Sequence, residues 1–130
     1  YNKLERLPET IGELKNLSSL YLNSNKLERL PKAINQLKDL EFLHIDSNVK
    51  TDNLFEHIKK AISRSQLIEI TGKDWKELEN LTSLNLCCNG LKRLPESIGE
   101  LKNLSSLNLC CNGLKRLPES IGGLKNLDRK

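Results

Sequence analysis

The chain has 130 residues, enough to bury a core without disulfides or metal, and its Leu-dominated apolar set, with five aromatics and no Met, suggests a repetitive interior. The 21 Lys and Arg exceed the 17 Asp and Glu by four, but they alternate with Glu along most of the chain, so no basic face is gathered for nucleic acid. No apolar run approaches the roughly 20 residues that span a bilayer, which argues against membrane insertion.

In chain order, the first segment, "LERLPETIGELKNL", places Leu4, Leu7, Ile11, Leu14 and Leu17 around Pro8. The apolar period after the proline is three, which predicts a helical or 3-10 turn. "SSLYLNSN" then alternates as a strand does, with Leu20 and Leu22 inward and Ser19, Tyr21 and Asn23 outward. Asn25 closes the unit. The same order returns through Leu27, Leu30, Pro31, Ile34 and Leu37, then a strand with Phe42 and His44 outward, and Asn48.

Between residues 49 and 77 the pattern breaks. Leu54, Ile58, Ala61 and Ile62 fall at helical spacing, which predicts an amphipathic helix of about three turns capped by Thr51 or Asp52. "QLIEI" alternates, predicting an extra strand near Leu67–Ile70. The alternative is one irregular repeat with a helical insertion and no strand there. Trp75 falls where the regular units carry Ile and is expected to plug the core.

The regular pattern resumes over Leu81–Asn103 and Leu104–Asn126, which agree at 21 of 23 positions. Such likeness indicates a duplication. Asn2 occupies the closing position of a unit whose strand is missing, and Leu127 opens one that is not completed, so the segment is expected to be the interior of a longer array.

The spacings L-x-x-L-x-[LI]-x-x-N and L-x-x-L-P-x-x-I-x-x-L resemble the leucine-rich-repeat family of 23-residue type, interrupted by one longer repeat similar to the ribonuclease-inhibitor type. The resemblance implies an α/β solenoid, a curved horseshoe with a parallel concave sheet of about five short strands and helical or 3-10 turns on the convex side. It also implies a single domain over 1–130, with regular repeats at 1–48, an irregular helical repeat or insertion at 49–77 and duplicated repeats at 78–130. A protein-interaction module is the implied function, often joined to a signalling domain such as a GTPase or kinase, or found in bacterial proteins directed at host cells.

Two sets of candidate residues follow. Asn25, Asn48, Asn89 and Asn112 carry both donor and acceptor and are expected to form a structural ladder satisfying the buried backbone at each turn. Tyr21, Phe42, His44, Asp46, Glu69, Asn85 and Asn108 are expected on the concave face as the partner-binding surface, with the aromatics as its anchor. Arg6, Arg29, Arg93 and Arg116, with the recurring Lys15, Lys38, Lys102 and Lys125, read as a solvated exterior.

Cys87, Cys88, Cys110 and Cys111 read as structural free thiols, which favours a reducing, cytoplasmic location. In-register side chains on parallel strands point the same way, which disfavours a disulfide, and adjacent cysteines facing opposite ways disfavour chelation. The expectation is therefore a monomeric, non-catalytic protein binder without cofactor or metal, or else a structural scaffold or regulatory segment of a larger protein. No nucleophile, phosphate-loop or metalloprotease motif is present to support catalysis.

Overall fold

The computed structural model describes residues 3–127, and Asn2 lies outside them. Two compact units divide the chain, 1–65 and 66–130, with the boundary inside a helix.

The period of three has a direct structural cause. In each regular repeat a proline opens a 3-10 helix, at Glu9–Glu13, Lys32–Gln36, Glu96–Glu100 and Glu119–Gly123. Pro8, Pro31, Pro95 and Pro118 hold φ between −71° and −60°, and each carbonyl accepts from the Ile three residues on at 3.1 Å. That Ile accepts in turn from the following Leu, so apolar spacing and hydrogen-bond spacing coincide. Ile34, Leu37, Ile98 and Leu101 are fully buried by this arrangement.

Four strands are present among the described residues: β1 (Ser19–Tyr21), β2 (Phe42–His44), β3 (Ser83–Asn85) and β4 (Ser106–Asn108). They form two parallel pairs, β1 with β2 and β3 with β4, each in the register set by the 23-residue repeat. Leu43 and Leu84 are buried, while Tyr21, Asn85 and Asn108 are exposed, as period two requires.

The fifth strand expected near Leu67–Ile70 is absent. Those residues lie in α1 (Glu56–Thr71), 16 residues long rather than three turns. Ser63 and Ser65 interrupt the apolar pattern in the sequence, yet both are buried. The Ser65 hydroxyl donates to the Ala61 carbonyl at 3.1 Å, so the helix itself satisfies it. Gly72, at φ +71°, ends the helix by donating its N–H to Ile68 O at 2.8 Å. Neither Thr51 nor Asp52 caps the start: Phe55 O accepts from Ile58 and Lys59, while Asp52 pairs with Arg29 at 3.5 Å. The helix α2 (Trp75–Asn80) follows, capped by the Asp74 carboxylate accepting from Glu77 N at 2.8 Å. Trp75 is partly buried against the core of the second unit.

The Asn ladder exists in part. Asn112 donates to the carbonyls of Leu86, Leu109 and Cys110, and its Oδ1 accepts from Asn89 N and Leu91 N, both at 3.0 Å. Asn25 donates to Leu22 O at 3.0 Å and accepts from Leu4 N at 3.3 Å. Asn48 and Asn89 are exposed instead. No regular turn precedes Asn89 for its side chain to join. At Asn48 the bond between turns falls one residue later in both repeats: Lys50 N meets Glu28 O, where Lys26 N meets Leu4 O in the turn before. Asp46 takes over, its carboxylate accepting from Ser24 N at 3.0 Å and from Asn25 N at 3.3 Å. The Asn35 side chain makes a further tie, donating to Asn53 O at 3.2 Å and accepting from Phe55 N at 2.8 Å.

Glycine sets the stacking distance. A Cβ on Gly99 would lie 2.6 Å from Ser120 Cβ, whereas one on Gly122 meets nothing within 4 Å. Asn35 stands at the equivalent position of the second repeat, where the chain departs into the 51–55 loop. No helix among the described residues is long and apolar enough to cross a membrane.

Gly99→Ala is expected to cost about 1–3 kcal/mol by overpacking, and Gly122→Ala to be neutral or slightly stabilising; denaturant midpoints separate the two. Asn112→Ala removes five hydrogen bonds to exposed and partly buried backbone groups and is expected to cost about 1–3 kcal/mol in all, while Asn48→Ala stays within about 0.5 kcal/mol, read by the same titrations.

Candidate functional site

The strand face of the first unit carries the aromatic set. Parallel pairing sets Ser19 beside Phe42 and Tyr21 beside His44. Because Leu20 and Leu43 turn into the core, these four residues share the opposite face. Tyr21 and His44 stack with ring centroids 4.2 Å apart and planes 5° from parallel. The stack is asymmetric in exposure. Tyr21 is 68% exposed while His44, expected to face solvent, is 6% exposed. A flat aromatic plate is thus held at the surface by a buried ring beneath it, and Phe42 lies half-buried one alternation away.

The other predicted surface residues divide by what already engages them. Asp46 is half-buried and committed to Ser24 N and Asn25 N, which makes it structural. Glu69 is exposed on α1, not on a strand, since the strand predicted there is helical. Asn85 and Asn108 are paired in register on β3 and β4. Their Oδ1 atoms accept from Cys87 N at 2.9 Å and Cys110 N at 3.0 Å, so the acceptors expected for a partner close their own turns. The structure brings Tyr21, Phe42 and His44 together and places Asn85 and Asn108 on a separate sheet.

The cysteines depart from the reading as free thiols. Cys87 and Cys110 form a disulfide, with Cα atoms 4.8 Å apart across the parallel strand spacing. Cys88 and Cys111 are free and exposed. The expectation that Cys87 and Cys88 face opposite ways also fails. Cys88 has φ +61° and Cys111 φ +58°, which ends the strand alternation and brings Cys87 Sγ within 3.2 Å of Cys88 Sγ.

Three further groups stand out. Asn103 and Asn126 donate to Glu79 O at 2.9 Å and Lys102 O at 3.2 Å, forming further side-chain ties between turns; the recurrence of "KNL" was the available signal. Asn35, in place of the usual Gly, marks where the 51–55 loop docks. Around it opens a cleft of about 610 Å³ lined by Lys15, Lys32, Lys38 and Phe55. Phe55 is 61% exposed and meets the His57 ring edge-to-face with centroids 6.2 Å apart. His57, in the first turn of α1, is half-buried.

Residues 1–85 match a family model described as leucine-rich repeat region, and residues 79–129 match one described as leucine rich repeat. A search of curated proteins finds no match. Among solved structures, a leucine-rich-repeat protein of Leptospira interrogans is 33% identical, with a TM-score of 0.46. The alignment covers 97% of this chain, which spans 39% of the length of that one.

Without prior reduction, an alkylating reagent is expected to label Cys88 and Cys111 and spare Cys87 and Cys110, as peptide mass spectrometry would report. Reduction of the 23-residue cross-link is expected to lower stability by about 3 kcal/mol on the chain-entropy estimate, seen as a shift in denaturant midpoint.

Proposed function

Because the chain belongs to the leucine-rich-repeat family, whose domains generally mediate protein–protein interaction, we propose that it binds a protein partner through the strand face of the first unit, the concave side in the family's solenoid. The observation that carries this reading is the Tyr21 ring, 68% exposed and stacked on a buried His44. An exposed aromatic has few ways to be held rigid. Here the ring is ordered before a partner arrives, so less side-chain entropy is lost on binding. Aromatic anchors of this kind are enriched at interface hot spots.

The family is typically non-enzymatic, and the arrangement around Tyr21 suits recognition rather than bond making. Phe42 and Ser19 supply an apolar and a small polar contact beside the plate. The proposed module acts as a monomer, without cofactor, and its partner is a protein rather than nucleic acid or a membrane. Asp46 contributes to this surface by fixing a turn, while Asn85 and Asn108 fix turns of the separate β3–β4 sheet.

Affinity capture from a cell lysate, comparing the wild-type chain with Tyr21→Ala, tests the proposal. The substitution removes an exposed ring and is expected to leave circular dichroism unchanged while reducing capture of a partner at least tenfold, the loss of about 1.4 kcal/mol. Retention of the same proteins by both forms, or of none by either, sinks the strand-face proposal and leaves the scaffold reading.

A further inference from the structure

The duplicated turns gather four sulfur atoms just beyond the ends of β3 and β4. Cys87 is half-buried; Cys88, Cys110 and Cys111 are exposed. On a continuing strand Cys88 would point away from Cys87. The left-handed backbone at Cys88 and Cys111 reverses that, and the sulfurs of Cys87, Cys88 and Cys111 lie within 4.8 Å of one another. The fourth sulfur, on Cys110, is bonded to Cys87.

We propose that, when the Cys87–Cys110 bond is reduced, this cluster binds a thiophilic d10 metal ion such as zinc. Thiolates are the preferred ligands of such ions, and a tetrahedral zinc site with bonds of about 2.3 Å sets its sulfurs roughly 3.8 Å apart. The 3.2 Å separation of Cys87 and Cys88 and the 4.8 Å span of the three sulfurs bracket that distance. Rotation about side-chain bonds covers the difference.

The backbone is already fixed for the task. Cys87 N and Cys110 N are held by Asn85 and Asn108, and Cys88 N donates to Cys110 O at 3.0 Å. Metal sites often separate two cysteines by a two-residue spacer so that both point inward. Here one left-handed residue does the same work for an adjacent pair.

Metal and disulfide compete for the same two sulfurs. A phosphine reductant takes up oxygen from one water as it opens the bond, becoming phosphine oxide and leaving two thiols. Four thiols then bind one zinc ion with release of four protons, so binding weakens as pH falls. With the disulfide closed, Cys88 and Cys111 are the free thiols remaining. Hydrogen peroxide, taking two electrons from the Cys87 and Cys110 thiolates and leaving as two waters, would reclose the disulfide; with four protons taken up, two by the waters and two by Cys88 and Cys111, the ion is released, making the site responsive to redox state.

Serine replacements are well suited to the test, since Ser24 occupies the position of Cys88 in the first unit at φ +63°. The full chain, reduced with a phosphine and exchanged into anaerobic buffer, is titrated with Zn2+ against a chromophoric chelator. A parallel titration with Cd2+ follows the ultraviolet thiolate-to-metal charge-transfer band. One ion per chain is expected. Cys88→Ser/Cys111→Ser is expected to weaken binding more than 100-fold, beyond the roughly 10–100-fold typical of losing an outer-shell partner. The disulfide-closed wild-type chain, which carries no substitution to disturb folding, is expected to bind as weakly as that variant. The proposal is overturned if reduced wild type binds no more tightly than the closed form, or if sedimentation shows one ion held between two chains.

Discussion

Every feature of this chain depends on laying one turn against the next at the spacing of hydrogen-bonded parallel strands. The Cα atoms of Cys87 and Cys110 are 4.8 Å apart. At that distance an isolated turn is incomplete, because its strand lacks a partner, its apolar face is open and its inward backbone groups lack acceptors and donors. The neighbour supplies all three. That is why glycine faces the adjacent turn at Gly12 and Gly99, where an added Cβ would come within 2.8 Å and 2.6 Å of it.

The same constraint accounts for the asparagines. A tightly turning backbone exposes N–H and C=O groups to the interior, and an amide side chain answers both kinds at once. Asn112 does so with five hydrogen bonds, reaching its own turn and the one before. Where the bond between turns falls one residue later, Asp46 performs the accepting half of the role, which suffices because the groups it meets are N–H donors. The demand is constant; the residue that meets it changes with local register.

The repeat was legible because its apolar spacing is also its hydrogen-bond spacing: Pro95, Ile98, Leu101 and Leu104 are linked in steps of three in sequence and in space. What escaped reading were places where one residue cancels a pattern. Ser65, a polar residue on the buried side of the helix, satisfies itself within it. Gly72 carried the true stop signal, and overlooking it allowed "QLIEI" to be taken for a strand. Cys88 looked like one more alternating strand residue, yet its positive φ reverses the direction on which the argument against clustered sulfurs relied. Of the surface set, the strand positions of Tyr21, Phe42 and His44 follow from period two, whereas the hydrogen bonds that engage Asn85, Asn108 and Asp46 leave no periodic trace.

The cross-strand disulfide gives the duplication a parity. Each copy of the 23-residue unit brings one cysteine to the Cys87 register, and two copies use each other up. A third identical copy would arrive at the same spacing with its sulfur unmatched, and the middle copy would face two equivalent neighbours with a single bond to give. Pairing would then be ambiguous and exchangeable along the row. Arrays grown from this unit in even numbers can pair every cysteine of the Cys87 register, while odd numbers leave one of that register unmatched; the Cys88 register stays free in both.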